Sequence, residues 1–461
     1  MKRVCIIGAG LAGSYLALLL AEQGYVVDIY ERRENLLFSN DQSKRSIGLA
    51  LSARGIHALS QITGLMPNVM ENAQRMFGRR IHSLNKDTKY NSYDANNQGV
   101  ICAISRETLS NVLITAVKLH SQINLHLGKE LFELIENNNI IEPFFSGEIN
   151  IPKFDFIIGA DGAYSRVRAA IQNMGEINFE ISKSPFAYKE IDIPFSPNQD
   201  EPVALEIWPR KSFMMIGLPN KNKKLLQGTL FMPLKGDKFS FETFATPKHT
   251  FNFFREVFPD IKFTIEDAVE FNNRPLGSIT CLKGGPWYYK NVILLGDAAH
   301  AMSPFLGQGM NCALEDCVLL GEILSQCEGN YEQAFAQFYF DRQSDAEAIC
   351  ELSESNAYEM MLESTTLEYQ LKKELEHIIH LHYPHIFTPY YQLITFELIP
   401  YKYIEVIKQW QNELLSSCNI ELFALNKDIC NIDKVLNYKA LEIYSNRMEK
   451  KFPFLINKIF S

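Results

Sequence analysis

Short, mainly apolar stretches mark the early part of the chain and return near residue 290. They cover residues 4–7, 26–30, 154–158 and 292–295, and glycine or an acidic residue follows each of them. Stretches of this length are typical of parallel strands that helices cover on both faces. Residues 15–23 favour a helix that stops at Gly24. Residues 4–31 therefore predict a strand–helix–strand unit.

The pattern becomes alternating between residues 179 and 285. Stretches such as FAYKEIDIPF, ALEIWPRKSFMMIGLPN and LLQGTLFMPL are typical of antiparallel strands. After about residue 312 the pattern is mainly helical. We therefore predict an α/β domain formed by residues 1–178 and 286–345, an inserted antiparallel-sheet domain at 179–285, and a helical region at 346–461.

Composition narrows the class of protein. The chain has 461 residues, a length that suits one large domain or two coupled domains. Of these residues 46% are hydrophobic and 21% charged, as in soluble globular proteins. A net charge of −9 argues against nucleic-acid binding. Nine scattered cysteines without a CxxC pair indicate reduced thiols in a cytoplasmic protein, and neither a disulfide framework nor a metal site. No stretch is long and apolar enough for a transmembrane helix, and the N-terminus fits a signal peptide poorly.

The turn after the first strand, GAGLAG, carries the first candidate chemistry. Gly8 suits the tight turn, Gly10 allows a pyrophosphate to approach the backbone, and Gly13 allows the helix to pack on the strand. Glu31, about 20 residues further on, can accept hydrogen bonds from ribose hydroxyls and would repel a 2′-phosphate. This Rossmann-type pattern predicts a site for FAD or NAD, and it occurs once.

Two further strand ends carry an aspartate. Asp161 lies in GADG and Asp297 in GDAAH. The carboxyl ends of parallel strands meet at one edge of a sheet, where ligands bind. The Asp297 carboxylate can accept from a polyol such as a ribityl chain. The helix that opens at GQGMN (307–311) can stabilise negative charge on a flavin ring.

The motifs GAGLAG, GADG and GDAAH, in this order and spacing, resemble the motifs of the aromatic-ring-hydroxylating FAD-dependent monooxygenases. Within that group the chain resembles the kynurenine 3-monooxygenase family over nearly its full length. The matching motifs are RSI-LALS (45–52), GRRIH (78–82), SRETL (105–109), GADGAYSRVR (159–168), YKEI (188–191), IWPR (207–210), FMMIGLPN (213–220), LFMP (230–233) and PFLGQGMN (304–311).

The resemblance implies two sets of site residues, covered by the helical region. The flavin contacts fall on Ala12, Glu31, Arg32, Ala50, Arg106, Leu131, Asp297, Met310 and Asn311. The substrate contacts fall on Arg79, Tyr93, Asn356 and Tyr391 around an amino-acid end, and on Phe231, Pro304, Phe305 and Gln308 over the flavin. The Arg79 guanidinium can donate two parallel hydrogen bonds to an α-carboxylate. Its neighbour Arg80 is the alternative residue for this role.

The chain departs from the family pattern at a few positions. The family usually has Asn at Gly48, His-Gly at residues 186 and 187, an aromatic residue or His at Leu306, and Arg at Met361. None of these is a proposed carboxylate contact. Eukaryotic members end in a membrane anchor, whereas residues 433–461 read as a basic amphipathic helix that caps the core or, alternatively, associates with a surface.

The resemblance also implies the reaction. Non-covalently bound FAD would be reduced by NADPH and would react with O2 to a C4a-hydroperoxide. Its distal oxygen would convert L-kynurenine to 3-hydroxy-L-kynurenine and water. The flavin carries this chemistry, so no side chain is expected to act as acid or base. A homodimer is compatible with the sequence but is not required by it.

Three alternatives remain at this point. A related monooxygenase could act on another aromatic acid, such as an anthranilate, a salicylate or a quinolone-type ring. A flavin-dependent halogenase would carry a WxWxIP segment, but the three tryptophans are Trp208, Trp287 and Trp410. A flavin-binding protein without turnover would show no NADPH oxidation with any aromatic acid.

Overall fold

A computed structural model gives the fold for residues 2–36, 47–93, 99–175, 177–194, 201–221, 225–236, 238–360, 366–425 and 435–458. Arg45 of the RSI motif and Met361 lie outside the described residues, as do the last three residues of the basic C-terminal segment.

The secondary structure follows the order expected from the sequence pattern. The strands are β1 (Arg3–Ile7), β2 (Val26–Glu31), β3 (Gly48–Leu51), β4 (Gln74–Met76), β5 (Gly78–His82), β6 (Thr88–Ser92), β7 (Ile101–Ser105), β8 (Ile123–Leu127), β9 (Leu131–Asn137), β10 (Ile140–Phe145), β11 (Phe156–Gly159), β12 (Asn178–Pro194), β13 (Ala204–Pro209), β14 (Met214–Pro219), β15 (Leu225–Pro233), β16 (Gly277–Gly285), β17 (Tyr288–Tyr289) and β18 (Val292–Leu294). The helices are α1 (Leu11–Glu22), α2 (Ala53–Ser60), α3 (Leu65–Asn72), α4 (Arg106–Leu119), α5 (Arg166–Met174), α6 (Pro247–Val257), α7 (Ile265–Asn273), α8 (Asp297–His300), α9 (Gly309–Gln326), α10 (Tyr331–Tyr358), α11 (Leu367–His382), α12 (Tyr390–Phe396), α13 (Tyr401–Ser417), α14 (Ile420–Leu425), α15 (Tyr438–Lys451) and α16 (Pro453–Lys458).

The first sheet has the strand order β17-β18-β11-β1-β2-β8 among the described residues. All of its pairs are parallel except β17 with β18. Ile7 lies opposite Gly159, and Gly159 lies opposite Leu294, so β1, β11 and β18 end side by side. Their buried apolar residues pack beneath α1 and α9 in the largest core cluster. The turns that follow these strands therefore open at one edge of the sheet.

A larger sheet has the order β16-β12-β15-β14-β13-β5-β6 in the described part of the chain. It is antiparallel except where β5 pairs in parallel with β13. Strands β5 and β6 come from residues 78–92, ahead of the segment that supplies the other strands. One face of the sheet packs on α6 and α7 through a phenylalanine-rich core.

The C-terminal helices α11 to α16 form a separate core with the second half of α10. Leu306, from the loop before α9, packs into this core. The prediction of an α/β fold with an antiparallel sheet and C-terminal helices is confirmed, while the exact domain boundaries stay a prediction. Helix α10 runs without a break across residues 345 and 346.

Among the described residues, no helix has the length and apolar character that crossing a membrane requires.

Candidate functional site

The glycines after β1 divide into two that serve packing and one that faces open space. Gly8 has φ +107°, and a Cβ there would lie 2.5 Å from the carbonyl oxygen of Ala160. A Cβ on Gly13 would lie 2.1 Å from the carbonyl oxygen of Gly8. A Cβ on Gly10 would meet no described heavy atom within 4 Å. Gly10 therefore leaves room at the start of α1, where backbone N–H groups attract a phosphate.

Glu31 stabilises this turn from the end of β2. Its buried carboxylate accepts the backbone N–H of Ala9 at 2.9 Å and pairs with Arg33 Nε at 2.9 Å. Burial raises the pKa of Glu31, but the hydrogen bonds from Arg33 and Ala9 outweigh burial and hold the pKa below its usual value. Glu31 is therefore an ionised acceptor at neutral pH. Arg32 beside it is exposed, and Arg33 is a partner that the sequence pattern did not indicate.

The second strand end carries Asp161, whose carboxylate caps α5. Its oxygens accept the backbone N–H groups of Arg166 at 2.7 Å and Val167 at 3.2 Å, and the hydroxyl of Ser165. Burial raises the pKa of Asp161 despite these hydrogen bonds. Arg166 also donates to the carbonyl oxygen of Leu131 at 3.0 Å, which brings that predicted flavin contact to the same edge. Asp161 thus has a structural task, and its contact with a cofactor stays a prediction.

The third strand end leads into Asp297, the first residue of the short helix α8. Gly296 before it has φ +58°, and its Cβ position lies 3.6 Å from the Cβ of Ala12. The Asp297 side chain is exposed. Burial raises the pKa of Tyr188, Asp297 adds to this rise, and Arg106 at the start of α4 opposes it. Asp297 and Arg106 therefore both influence the ionisation of Tyr188.

Asn311 fixes the start of α9 to strand β3. Its Oδ1 accepts the backbone N–H of Ser52 at 3.0 Å, and its Nδ2 donates to the carbonyl oxygens of Ala50 at 2.9 Å and Gly307 at 2.8 Å. The side chain is fully buried. Its hydrogen-bonding groups are thus used within the protein, so Asn311 can offer a ligand its backbone. Met310 beside it is half-buried.

Phe305 of this loop belongs to a cluster of packed aromatic side chains. The ring centroids of Phe231 and Phe305 are 4.8 Å apart, and the Tyr188 ring lies 6.1 Å from that of Phe231, with both pairs tilted. Pro304 is half-buried next to Phe305. Asn356, near the end of α10, donates to the carbonyl oxygen of Phe305 at 3.0 Å. The large sheet, the loop and the helical region therefore meet at Phe305.

Arg79 on β5 lies between two tyrosines from different parts of the chain. Its Cζ is 3.6 Å from the ring centroid of Tyr391 on α12 and 5.9 Å from that of Tyr93. Among the described residues Arg79 forms no ion pair, and the buried hydroxyl of Tyr93 has no hydrogen-bond partner. A guanidinium that has tyrosines but no carboxylate beside it suits an anionic ligand.

Arg80, the alternative to Arg79, points to the other face of the sheet, as strand alternation requires. Its guanidinium pairs with buried Glu206 at 2.6 Å and with Glu201 at 2.9 Å. His82 also contacts Glu206, at 2.7 Å, and contacts Asp260 at 3.0 Å. The structure thus places Arg79, and not Arg80, beside the two tyrosines.

Three buried groups of a kind that bind metals lie together behind the site. Atoms of His300, Cys312 and Asp316 lie within 4.8 Å of one another. Arg342 Nε is 2.6 Å from Asp316 Oδ1, and its Nη2 is 3.2 Å from Cys312 Sγ. A guanidinium therefore occupies the place of a cation.

Residues 1–334 match the FAD binding domain family. A kynurenine 3-monooxygenase from Myxococcus xanthus is 36% identical over 406 residues, which cover 87% of each chain. One from Legionella pneumophila is 34% identical over 456 residues, which cover 98% of this chain and 100% of the relative. In structure, the chain is similar to 2-methyl-3-hydroxypyridine-5-carboxylic acid oxygenase, with a TM-score of 0.64 and 19% identity over 81% of this chain and 95% of that one. The structural similarity shows a shared fold.

Proposed function

The chain belongs to the kynurenine 3-monooxygenase family of FAD-dependent hydroxylases, and we propose that it converts L-kynurenine to 3-hydroxy-L-kynurenine with NADPH and O2. L-Kynurenine combines an aniline ring with an amino-acid end that carries a carboxylate and an ammonium group. The proposal therefore needs a site for an anion, an apolar site for a ring, and a cradle for FAD.

The observation that carries the proposal is the environment of Arg79. A guanidinium stacked 3.6 Å from the Tyr391 ring has no carboxylate partner among the described residues. Burial acts to lower the pKa of Arg79, but the neighbouring tyrosines outweigh it, so the group stays charged. The α-carboxylate of the substrate would supply the missing anion and would accept from Tyr93 and Tyr391. Asn356 would bond the amino-acid end.

Phe231, Pro304 and Phe305 would bind the aniline ring, and Gln308 would lie over it. Apolar walls suit such a ring and also exclude water. Excluding water matters because the oxygen that should be transferred to the ring would otherwise be released as hydrogen peroxide. The aniline nitrogen itself directs attack to the neighbouring ring carbon. The side chains therefore need to orient the ring rather than to donate or remove a proton.

The residues at the sheet edge fit FAD. Gly10 leaves open space in a glycine turn, and Glu31 is an ionised acceptor at the ribose position. Arg32, Arg106 and the exposed Asp297 would bind the polar groups of the cofactor, and the start of α9 would face its ring. When bound, FAD supplies the redox and oxygen-transfer chemistry. The buried free thiols support a cytoplasmic location as part of the proposal.

The test is NADPH oxidation by the purified protein in air, with and without L-kynurenine, with products identified by mass spectrometry. We expect kynurenine-dependent oxidation and a product heavier by one oxygen atom. If kynurenine stimulates NADPH oxidation but hydrogen peroxide is the only product, the true substrate would be a different aromatic compound. No response to kynurenine would remove the substrate assignment and leave the family assignment in place.

A further inference from the structure

A hydrogen bond joins the C-terminal helices to the loop before α9. The hydroxyl of Tyr401, the first residue of α13, donates to Gln308 Oε1 at 2.9 Å. Both side chains are buried. The other contacts of the Gln308 amide are long, with Ser52 Oγ and the carbonyl oxygen of Leu306 each at 3.5 Å. Tyr401 is therefore the close partner that the structure gives this amide.

Tyr401 is itself held by charged groups on three elements. The Arg54 guanidinium lies 3.9 Å from the Tyr401 ring centroid and pairs with Glu315. Glu315 also pairs with Arg342 at 2.6 Å. Arg54 is buried, and it donates in addition to the carbonyl oxygen of Ile399, two residues before Tyr401. A buried and paired network of this kind has one favourable arrangement, so the phenol has little freedom to move.

We propose that Tyr401 is a positioning residue that sets the orientation of the Gln308 amide, and through it the shape of the loop over the substrate ring. The inference rests on the proposed function for the assignment of Gln308 as a substrate contact. It extends that function by assigning a role to the first turn of α13, which lies outside the motifs that carry the resemblance. The orientation of Gln308 would then depend on the docking of the C-terminal helices.

The physical basis is the direction of the hydrogen bond. A phenol that donates to Oε1 requires the amide oxygen to face α13 and leaves Nε2 on the opposite side. Without the hydroxyl, Oε1 keeps the 3.5 Å contact with Ser52, which is long for a hydroxyl hydrogen bond. The amide can then rotate, and its oxygen and nitrogen can exchange places. The loop would orient the substrate ring less well, while the flavin turn at Gly8 to Gly13 stays intact.

The experiment compares Tyr401→Phe with Tyr403→Phe in the FAD-loaded enzyme. Tyr403, two residues further along α13, packs its ring on Phe452 and Phe454, so its variant controls for the loss of a tyrosine hydroxyl in this helix. We expect Tyr401→Phe to lower the yield of hydroxylated product per NADPH consumed by about 2- to 10-fold, as the loss of one buried hydrogen bond allows. Flavin content should match that of Tyr403→Phe, and the Tm should be lower by only a few degrees, the cost of one buried hydrogen bond. A product yield and a KM equal to those of the unsubstituted enzyme would overturn the proposal.

Two further measurements separate this inference from the proposed function. A Gln308→Leu substitution should lower the product yield, and adding Tyr401→Phe to it should change little, because both act on one contact. Additive effects would contradict the proposal. A crystal structure of the Tyr401→Phe variant should show the Gln308 amide displaced from its place beside residue 401, whatever the substrate is. An unchanged amide would refute the positioning role even if the enzyme acts on another ring.

Discussion

The proposed role of Arg79 predicts that removing its charge weakens kynurenine binding without unfolding the protein. Arg79→Met keeps the length and apolar stem of the side chain. A hydrogen bond to a charged group contributes about 1.5–3 kcal/mol, and an α-carboxylate would lose at least one such bond. We therefore expect a loss of about 2 kcal/mol or more, which corresponds to a Kd about 30-fold higher.

The stability of the same variant follows from the partners of Arg79. In the described residues it has no carboxylate partner, so its removal leaves no buried acid unpaired. The stacking on Tyr391 would be lost, at a cost of about 0.5–2 kcal/mol. Arg80→Met is the contrast, because it leaves Glu206, which is 1% exposed, without its arginine. That change should cost about 3–5 kcal/mol in the free energy of unfolding.

The assay is an equilibrium titration of the oxidised enzyme with L-kynurenine, followed by the flavin absorbance, because KM equals Kd only when chemistry is slow. Urea unfolding gives the stability of each variant. Arg75→Met, at an exposed arginine on β4, is the matched control. It should change neither the Kd for kynurenine nor the free energy of unfolding. An Arg79→Met enzyme that binds kynurenine with unchanged Kd would refute the assignment of Arg79.

Three further predictions follow from the geometry. Gly13→Ala should prevent stable folding, because the added Cβ would lie 2.1 Å from the carbonyl oxygen of Gly8. Gly10→Ala should fold with an unchanged apoprotein Tm, because its Cβ meets no described atom, but should bind FAD weakly in a fluorescence titration. Tyr93→Phe removes a buried hydroxyl that has no hydrogen-bond partner among the described residues, so the Tm should stay the same or rise. Kynurenine binding should weaken by about 1 kcal/mol, a Kd about 5-fold higher, and a lowered Tm would contradict the reasoning. Burial acts to lower the pKa of His82, but Asp260 and Glu206 outweigh burial and raise the pKa. The ion pairs of His82 therefore stabilise the fold fully below the unfolded-state pKa of about 6.5. This stabilisation is lost as the pH rises through the folded-state pKa. Urea unfolding should show this decline as the pH rises above about 6.5, and Asp260→Asn should make the decline shallower. Equal slopes would exclude His82 as the cause.

The local parts of the site could be predicted from the sequence because short-range sterics determine them. Gly13 is required by a contact within its own turn, and Gly8 by its backbone φ of +107°. The strand pattern indicates where each turn begins. The convergence of the turns at Gly8, Ala160 and Gly296 follows from the parallel order of β1, β11 and β18. The resemblance then named Arg79, Tyr93 and Tyr391, which the structure brings together.

The partners that fix these residues could not be predicted, because they are distant in the sequence. Tyr401 lies 93 residues from Gln308, and Glu206 lies 126 residues from Arg80. No periodic pattern links such pairs, since their contact depends on how the helices and sheets pack. The pairing of Asn311 with the backbone of β3 was missed for the same reason. An asparagine in a glycine-rich loop predicts a ligand contact as readily as a structural one.

The order in which the strands leave the ribosome has a consequence for how this protein reaches its fold. Strand β5, which carries Arg79, pairs with β13 and β6, yet β13 begins at Ala204, more than a hundred residues later. Strand β18 of the first sheet, which pairs with β11, is made later still, after all strands of the larger sheet. Such long-range pairing makes folding slow and leaves strand edges unpaired during synthesis. We therefore expect truncated chains that end before β18 to aggregate, and full-length chains to gain FAD affinity only near the end of synthesis.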